Sequence, residues 1–202
     1  VEVERPAFQE MTALGAANMA YLDAPISGGP DGAEAGTLSV IVGGNEADVI
    51  AAQPVFSAIG KRTFHMGGPG TGVTAKLCNN MISITTHALL AEAMVLGVKS
   101  GINARALYEV LRNSSAFSRT LERVVPNHFL TRNFEAAATV ETILKDLECA
   151  LDLGRRNGVP LSLPEVARDR FVETIQRGRG QRDIASVILQ IEEAAGTQVG
   201  PA

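Results

Sequence analysis

The sequence predicts an α/β segment over residues 1–67, followed by an all-helical domain over residues 68–202 that starts with a long interdomain helix. Before residue 68, short apolar runs are punctuated by glycine, with helical spacing between two of them. After residue 70, helical periodicity is nearly continuous and no convincing strand pattern occurs. This change of period places the boundary between the two parts near residue 67.

The α/β segment divides into helices and strands in a regular order. Pro6 suits a first helical turn, and the apolar spacing after it predicts a helix over residues 6–19. Residues 21–26 and 37–42 are predicted strands, both apolar enough to be buried, with a glycine-rich turn over residues 27–30. Asn45 can cap a helix that ends near Ile59, and residues 63–65 form a short third strand. So small a sheet leaves its apolar strands poorly covered, and we therefore expect further strands upstream.

Helical patterns account for the remainder of the chain. They cover residues 72–99, 103–112, 117–130, 139–157, 164–177 and 182–195. The first of them is the longest and would join the two domains.

Composition excludes several classes of protein. The 202 residues carry a net charge of −4, so neither nucleic acid nor an anionic membrane is an expected partner. No apolar run approaches the roughly 20 residues that cross a bilayer. Two cysteines, Cys78 and Cys149, do not make a disulfide scaffold, which favours a reducing, cytoplasmic setting. The three histidines lack metal-ligand spacing, and we expect no metal site.

The first candidate site is the segment from Asp23 to Gly29. A predicted strand ends there in Ser27, Gly28 and Gly29. Glycines let the backbone approach a ligand closely, and backbone N–H groups beside a serine hydroxyl suit a carboxylate. The alternative is a plain tight turn with no ligand.

The second candidate site lies at the start of the long helix. Lys76, Asn79 and Asn80 stand at i, i+3 and i+4, so their side chains share one helix face. The alternative is a solvated lysine beside an exposed pair of asparagines. The glycine-rich stretch 68–72 before them lacks the ending of a phosphate-binding loop, and we reject that interpretation.

A third feature is Lys145 with Asp146 inside an amphipathic helix, where the alternative is an ordinary surface ion pair. Together the segments resemble the β-hydroxyacid dehydrogenase family, which includes 3-hydroxyisobutyrate dehydrogenase and, more distantly, 6-phosphogluconate dehydrogenase. The resemblance rests on DAPISGG with GAEAGTLSVIVGG, on GPGTGVTAKLCNN, on LKDLECALDLGRRNGVPLSLP and on GRGQRDIASVI. These segments follow one another in the family's order over nearly the whole chain.

The resemblance implies a reversible hydride transfer between NAD or NADP and a small β-hydroxy acid. It assigns proton transfer to Lys76, and orientation of the substrate to Asn80 and Asn79. It assigns the substrate carboxylate to the turn, an aromatic substrate contact to Phe134, and a position near the cofactor to Lys145. The turn residues are Ser27, Gly28 and Gly29.

The resemblance also makes the first 67 residues the C-terminal part of a Rossmann-type domain. The G-x-G-x-x-G fingerprint that opens such a domain is not among the 202 residues, so the choice between NAD and NADP stays open. Because the family's helical domain builds its dimer, we expect a homodimer or higher homo-oligomer. One alternative is a non-catalytic assembly module. A decarboxylating enzyme of the 6-phosphogluconate type is disfavoured, because the helical part is too short for it.

Overall fold

The computed structural model describes residues 19–201. They fall into two compact units, the first ending at Asn79 and the second beginning at Asn80, inside one long helix. The helix predicted over residues 6–19 lies outside the described residues, apart from Met19. The fold class predicted from the sequence, an α/β portion followed by a helical region, is confirmed.

The first unit contains a three-stranded sheet with the order β1-β2-β3. Its elements are β1 (Ile26–Ser27), α1 (Gly29–Glu34), β2 (Leu38–Gly43), α2 (Glu46–Ile59) and β3 (Gly60–Gly67). β1 pairs with β2 antiparallel, whereas β2 and β3 are parallel and connected through α2. The predicted strand–helix–strand unit is thus confirmed, because parallel neighbours need such a crossover.

The core of this unit is small. Val40 and Val42 alternate on the inner face of β2, and Val49 and Phe56 of α2 cover them. β2 lies between two strands, which explains why its apolar residues are the most deeply buried of the sheet.

Two predictions for this unit are wrong in detail. The first strand is shorter than residues 21–26 and is not buried, since Ile26 is 45% exposed. Before it, Asp23 forms a bridge to β2, and the Pro25 carbonyl accepts a hydrogen bond from the Ile41 N–H. The strand pairs on one side only among the described residues, and Pro25 has no N–H to donate to the ladder. The glycine-rich turn over residues 27–30 is also cut short, because Pro30 enters the first turn of α1.

The second unit is helical. The long helix α3 (Thr71–Lys99) leads into it, followed by α4 (Ala104–Arg112), α5 (Arg119–Val124), α6 (Val140–Arg156), α7 (Ser162–Thr174) and α8 (Ile188–Ala195). α5 and α7 each run into a π-helical turn, Val125–Phe129 and Ile175–Arg179, and a 3₁₀ turn, Ile184–Val187, precedes α8. All six predicted helical segments are present with small shifts of their ends.

One apolar cluster fills the helical unit. α3 contributes residues at helical spacing, among them Ile84, Ala91 and Met94, and the fully buried rings of Phe129 and Phe171 pack in the same cluster. Cys78 and Cys149 are both free thiols.

Contrary to the expectation from the sequence, α3 is long and apolar enough to cross a membrane by length and composition alone. Its most apolar window has a mean hydropathy of 1.6, and 39% of that window is buried inside the chain. Core helices of soluble proteins have the same properties, so one such helix carries little weight.

Candidate functional site

The glycine turn at the end of β1 has a conformation that side chains rarely adopt. Gly28 and Gly29 have φ angles of 144° and 68°, and both are exposed, while Ser27 beside them is partly buried. A Cβ at Gly28 would also lie 2.9 Å from the Leu38 side chain. Because both residues lack a side chain, the turn can adopt these φ angles and its exposed backbone is accessible to a small ligand.

Asp23, at the start of this segment, is a buried carboxylate with two backbone donors. The Gly70 N–H donates to its Oδ1 at 2.6 Å, and the Val73 N–H donates to its Oδ2 at 2.8 Å. Its backbone exchanges hydrogen bonds of 3.0 and 2.8 Å with Gly43 of β2. Asp23 therefore ties the segment before the glycine turn to β2 and to the first turn of α3.

Gly72 lies where α3 meets the sheet most closely. A Cβ on Gly72 would stand 2.6 Å from the Ile41 carbonyl oxygen and 2.7 Å from the backbone of Asp23 and of Gly43. Gly68, in the same glycine-rich stretch, has open space around its Cβ position. The stretch therefore contains one glycine required by packing and another that is not.

The predicted residues Lys76, Asn79 and Asn80 all lie on α3. Lys76 and Asn80 are partly buried and Asn79 is exposed. Because α3 is continuous over these positions, Lys76 and Asn80 are one helical turn apart. A cation and an amide thus occupy adjacent positions on one helix face.

In the helical unit, Asn80 is held by Asp146 of α6. The Asn80 amide Nδ2 donates to Asp146 Oδ2 at 2.9 Å, and both side chains are partly buried. Lys145, the neighbour of Asp146, is exposed. The sequence motif that contains Lys145 and Asp146 does not predict the contact between Asp146 and Asn80.

Phe134 is partly buried and packs against the main core of the helical unit. The Arg132 guanidinium lies 5.2 Å from the centre of its ring, and Arg132 also donates to buried Glu192 at 2.6 Å. The Phe134 carbonyl accepts a 3.1 Å hydrogen bond from the Asp183 N–H. These contacts hold the Phe134 backbone and the guanidinium beside its ring within the helical unit.

Asp183 is the buried carboxylate that holds the segment in front of α6. Its carboxylate accepts hydrogen bonds from the backbone N–H groups of Ala137 at 3.2 Å, Ala138 at 3.4 Å and Ala185 at 2.9 Å. The Thr139 hydroxyl then caps α6 by accepting the Thr142 N–H. The helix that carries Lys145 and Asp146 thus begins at a fixed point.

The residues present fit only part of a nicotinamide cofactor. In the helical unit, the exposed Lys145 ammonium suits a ribose or phosphate oxygen. In the α/β unit taken by itself, the glycines around Gly68 leave room at the carboxyl end of β3, the edge where such ligands bind in open α/β sheets. The fingerprint that would hold the pyrophosphate is not in the sequence. Within residues 19–201, no group of three or more His, Cys, Asp or Glu side chains could hold a metal ion.

Two family models match the chain on either side of residue 69. The NAD binding domain of 6-phosphogluconate dehydrogenase matches residues 6–68. The model described as NAD-binding of NADP-dependent 3-hydroxyisobutyrate dehydrogenase matches residues 70–191, more than half of the chain. The chain belongs to the β-hydroxyacid dehydrogenase family. The resemblance inferred from the motifs is confirmed, and the predicted cofactor class, NAD or NADP, is the one these models describe.

Similar curated proteins agree with this assignment. The chain is 38% identical over 179 residues to 2-(hydroxymethyl)glutarate dehydrogenase of Eubacterium barkeri, covering 89% of the chain and 60% of that protein. It is 34% identical over 175 residues to NAD-dependent L-serine dehydrogenase of Pseudomonas aeruginosa, covering 84% and 59%. The chain therefore spans about 60% of the length of these relatives.

Solved structures share the fold. 3-Hydroxyisobutyrate dehydrogenase from Salmonella typhimurium superposes with a TM-score of 0.82 at 29% identity, covering 90% of this chain and 64% of that one. The Mycobacterium tuberculosis 3-hydroxyisobutyrate dehydrogenase, solved with L-serine, gives the same TM-score at 30% identity, with 91% and 65% covered. Both are family members by name as well as by fold.

Proposed function

We propose that this chain provides the substrate turn and the proton-transfer lysine of an NAD(P)-dependent β-hydroxyacid dehydrogenase. One observation carries the proposal. Asn80 is held by Asp146 at 2.9 Å, one helical turn beyond Lys76, so an oriented amide and a cation share one helix face in a chain of this family.

In the proposed site, the glycine turn receives the substrate carboxylate. Backbone N–H groups at Gly28 and Gly29 are donors that no side chain at those positions obstructs, and the Ser27 hydroxyl adds another. The turn supplies hydrogen bonds rather than a full positive charge. It is therefore suited to orienting a carboxylate rather than to binding any anion tightly.

Lys76 is the proposed general acid and base. When bound, NAD(P) would supply the hydride chemistry, as hydride acceptor in oxidation and hydride donor in reduction. In oxidation the Lys76 amine takes the hydroxyl proton while the C–O bond becomes a carbonyl. In reduction the Lys76 ammonium gives that proton to the developing alkoxide. Asn80, held by Asp146, would orient the substrate hydroxyl and the lysine.

The remaining predicted residues have supporting roles in this proposal. Asn79 is exposed on α3 and would contact substrate, and Phe134 would provide an apolar wall. Lys145 would contact the cofactor. Glu148 and Arg155, which lie further along α6, have no part in it.

The relatives narrow the proposed substrate class. Their names include 2-(hydroxymethyl)glutarate, L-serine and 3-hydroxyisobutyrate, which all have a primary hydroxyl on the carbon β to a carboxylate. A turn that binds the carboxylate and a lysine that serves the hydroxyl would act on these two groups of such an acid. We infer that the substrate is such an acid.

Replacing Lys76 tests the proposal. Because a positioned acid–base group contributes about 10²–10⁴-fold, Lys76→Ala in the full-length protein should lower kcat by that factor and leave NAD(P) binding intact. Lys61→Ala removes an exposed lysine of the first unit and is the matched control. Turnover of Lys76→Ala above about a tenth of wild type would show that the proton comes from elsewhere.

A second proposal concerns assembly, and it would hold even for a non-catalytic module. Ile82, Leu89 and Leu96 of α3 are 64%, 63% and 69% exposed and recur every seven residues, forming an apolar stripe on the helix. We propose that this stripe packs against a second copy of the chain.

Light scattering tests the assembly proposal. Wild type should have at least twice the 21.3 kDa mass of the single chain, and Leu89→Glu should reduce it to one chain. Ile50→Glu changes an equally exposed residue of α2 and should keep the wild-type mass. A wild-type monomer at micromolar concentration would contradict the proposal.

A further inference from the structure

The Asp23 side chain is buried, with 7% of the residue exposed, although it does not belong to the apolar core cluster of its unit. Its two carboxylate oxygens each accept one N–H from the start of α3, those of Gly70 and Val73. Burying a carboxylate is unfavourable unless hydrogen bonds replace its hydration. Here the N-terminus of α3 supplies one hydrogen bond to each of the two oxygens.

The position of Asp23 connects two parts of the proposed site. Four residues after it the chain reaches Ser27 and the glycine turn, and three residues after Val73 the helix reaches Lys76. The backbone of Asp23 is paired with Gly43, so the residue itself cannot shift without disturbing β2. The positions of the turn and of the lysine therefore both depend on Asp23, which is fixed in the first unit.

The contact also has an electrostatic component. The N-terminus of a helix carries a partial positive charge, and a carboxylate there offsets it within the first turn. Lys76 stands in the second turn of the same helix. The Asp23 carboxylate therefore acts on the field around Lys76 as well as on the direction of the helix.

We propose that Asp23 is a positioning residue for Lys76, setting both the place and the basicity of the lysine relative to the substrate turn. The inference rests on the proposed function of Lys76. It differs from a purely structural cap in one respect, since a cap would affect folding without changing how activity depends on pH.

The decisive variant is Asp23→Asn in the full-length protein. Asparagine keeps one acceptor oxygen, places an NH₂ group against the other N–H and removes the charge. Because a misplacement of about 1 Å can cost about 10²-fold, we expect kcat to fall at least about 10-fold, with the KM for NAD(P) within about 3-fold of wild type. The pH profile of oxidation should move to lower pH, because the lost carboxylate no longer favours the ammonium form of Lys76.

Glu46→Gln is the matched control. It removes one negative charge from the first turn of α2 in the same unit, at an exposed site, and should leave kcat and the pH profile unchanged. A loss of kcat in Asp23→Asn with an unmoved pH profile would overturn the proposal in favour of a structural cap. Unchanged kcat would also overturn it.

A second variant covers the case in which Asp23→Asn does not fold. Val73→Pro deletes one N–H donor and keeps the carboxylate, and proline is tolerated in a first helical turn. It should lower kcat without moving the pH profile, whereas wild-type kcat would contradict the proposal. Lys76→Ala, measured alongside, separates the two proposals. If Lys76→Ala stays active, the proposed function of Lys76 is wrong. If Lys76→Ala is inactive and Asp23→Asn behaves like wild type, only the inference about Asp23 is wrong.

Discussion

The two units fix their candidate residues by different means. In the helical unit, one continuous cluster of buried apolar side chains surrounds the elements that carry Asn80, Phe134 and Lys145. In the α/β unit, the buried apolar cluster consists of Val40, Val42, Val49 and Phe56, and the buried Leu38 lies beside Gly28 of the turn. The start of α3 is instead fixed by the Asp23 carboxylate and by close backbone contacts.

The difference has consequences for tolerance to change. Apolar contacts are numerous and non-directional, so a large cluster absorbs small changes in shape. Hydrogen bonds to a buried carboxylate are few and directional, and losing one leaves an unsatisfied donor. We expect the α/β unit to respond to conservative changes at its junction, and the helical unit to respond mainly to changes that place charge in its interior.

Acid offers the strongest test of the helical unit, because that unit encloses an ionisable histidine. Burial lowers the pKa of His87 from 6.5 to about 4. Repulsion from Arg123 and His128 also lowers this pKa, whereas attraction to Asp183 raises it by less than burial lowers it. The neutral ring is held by a 2.8 Å hydrogen bond between Nδ1 and the Ser83 carbonyl. Above pH 6.5 the histidine is neutral in both the folded and the unfolded chain.

As the pH falls from 6.5 to 4, the unfolded chain binds a proton that the folded chain does not, so stability is lost over this window. The full difference corresponds to about 3 kcal/mol in the free energy of unfolding. His87→Leu should lose correspondingly less stability than wild type between pH 7 and pH 4.5, measured by denaturant titration. Parallel pH dependences of the two proteins would show that His87 protonates without cost.

Hydrogen exchange places this effect in one unit. Amides of α3 beyond Asn80 and of α5 should lose protection in wild type at pH 4.5 more than in His87→Leu, after correction for intrinsic exchange. Amides of β2 and β3 should not distinguish the two proteins. A difference confined to the sheet would contradict the assignment to the helical unit.

The helices of the helical unit could be predicted because apolar residues recur in them at helical spacing, and that signal is local. α1 could not, because its sequence, GPDGAE, has no apolar face and two glycines. The π-helical turn after α5 also left no mark in the period. The segment after α7 is a kink at Gly178, which has a φ angle of 75°.

For the site, the sequence placed Lys76 and Asn80 on one helix face because i and i+4 spacing is a property of any helix. It did not reveal the acceptors that organise them. Asp23 meets Gly70 and Val73 from 47 and 50 positions away, and Asp146 meets Asn80 from 66 positions away. Contacts of that separation depend on tertiary structure, which periodicity does not report.

The glycines of the stretch 68–72 give the most sensitive test of the α/β unit, because Gly72 lies in the first turn of α3 against the sheet, whereas Gly68 lies in the bend before the helix with open space around it. Gly72→Ala places a methyl group within 2.7 Å of three backbone atoms, from Ile41, Asp23 and Gly43, none of which can rotate away. Gly68→Ala meets open space and serves as the control. Removing chain entropy from the unfolded state should leave that control as stable as wild type or more stable by about 0.4–1 kcal/mol.

Overpacking of this kind costs about 1–3 kcal/mol, so Gly72→Ala should destabilise the protein by that amount in denaturant titration. The loss should be concentrated in the sheet, with faster hydrogen exchange at β2 and β3, because the helix start is pushed away from Asp23 and the small core beside it cannot compensate. If Gly72→Ala is as stable as Gly68→Ala, the start of α3 does not depend on close contact with the sheet. The α/β unit would then be as adaptable as the helical unit, and the contrast between the two would not hold.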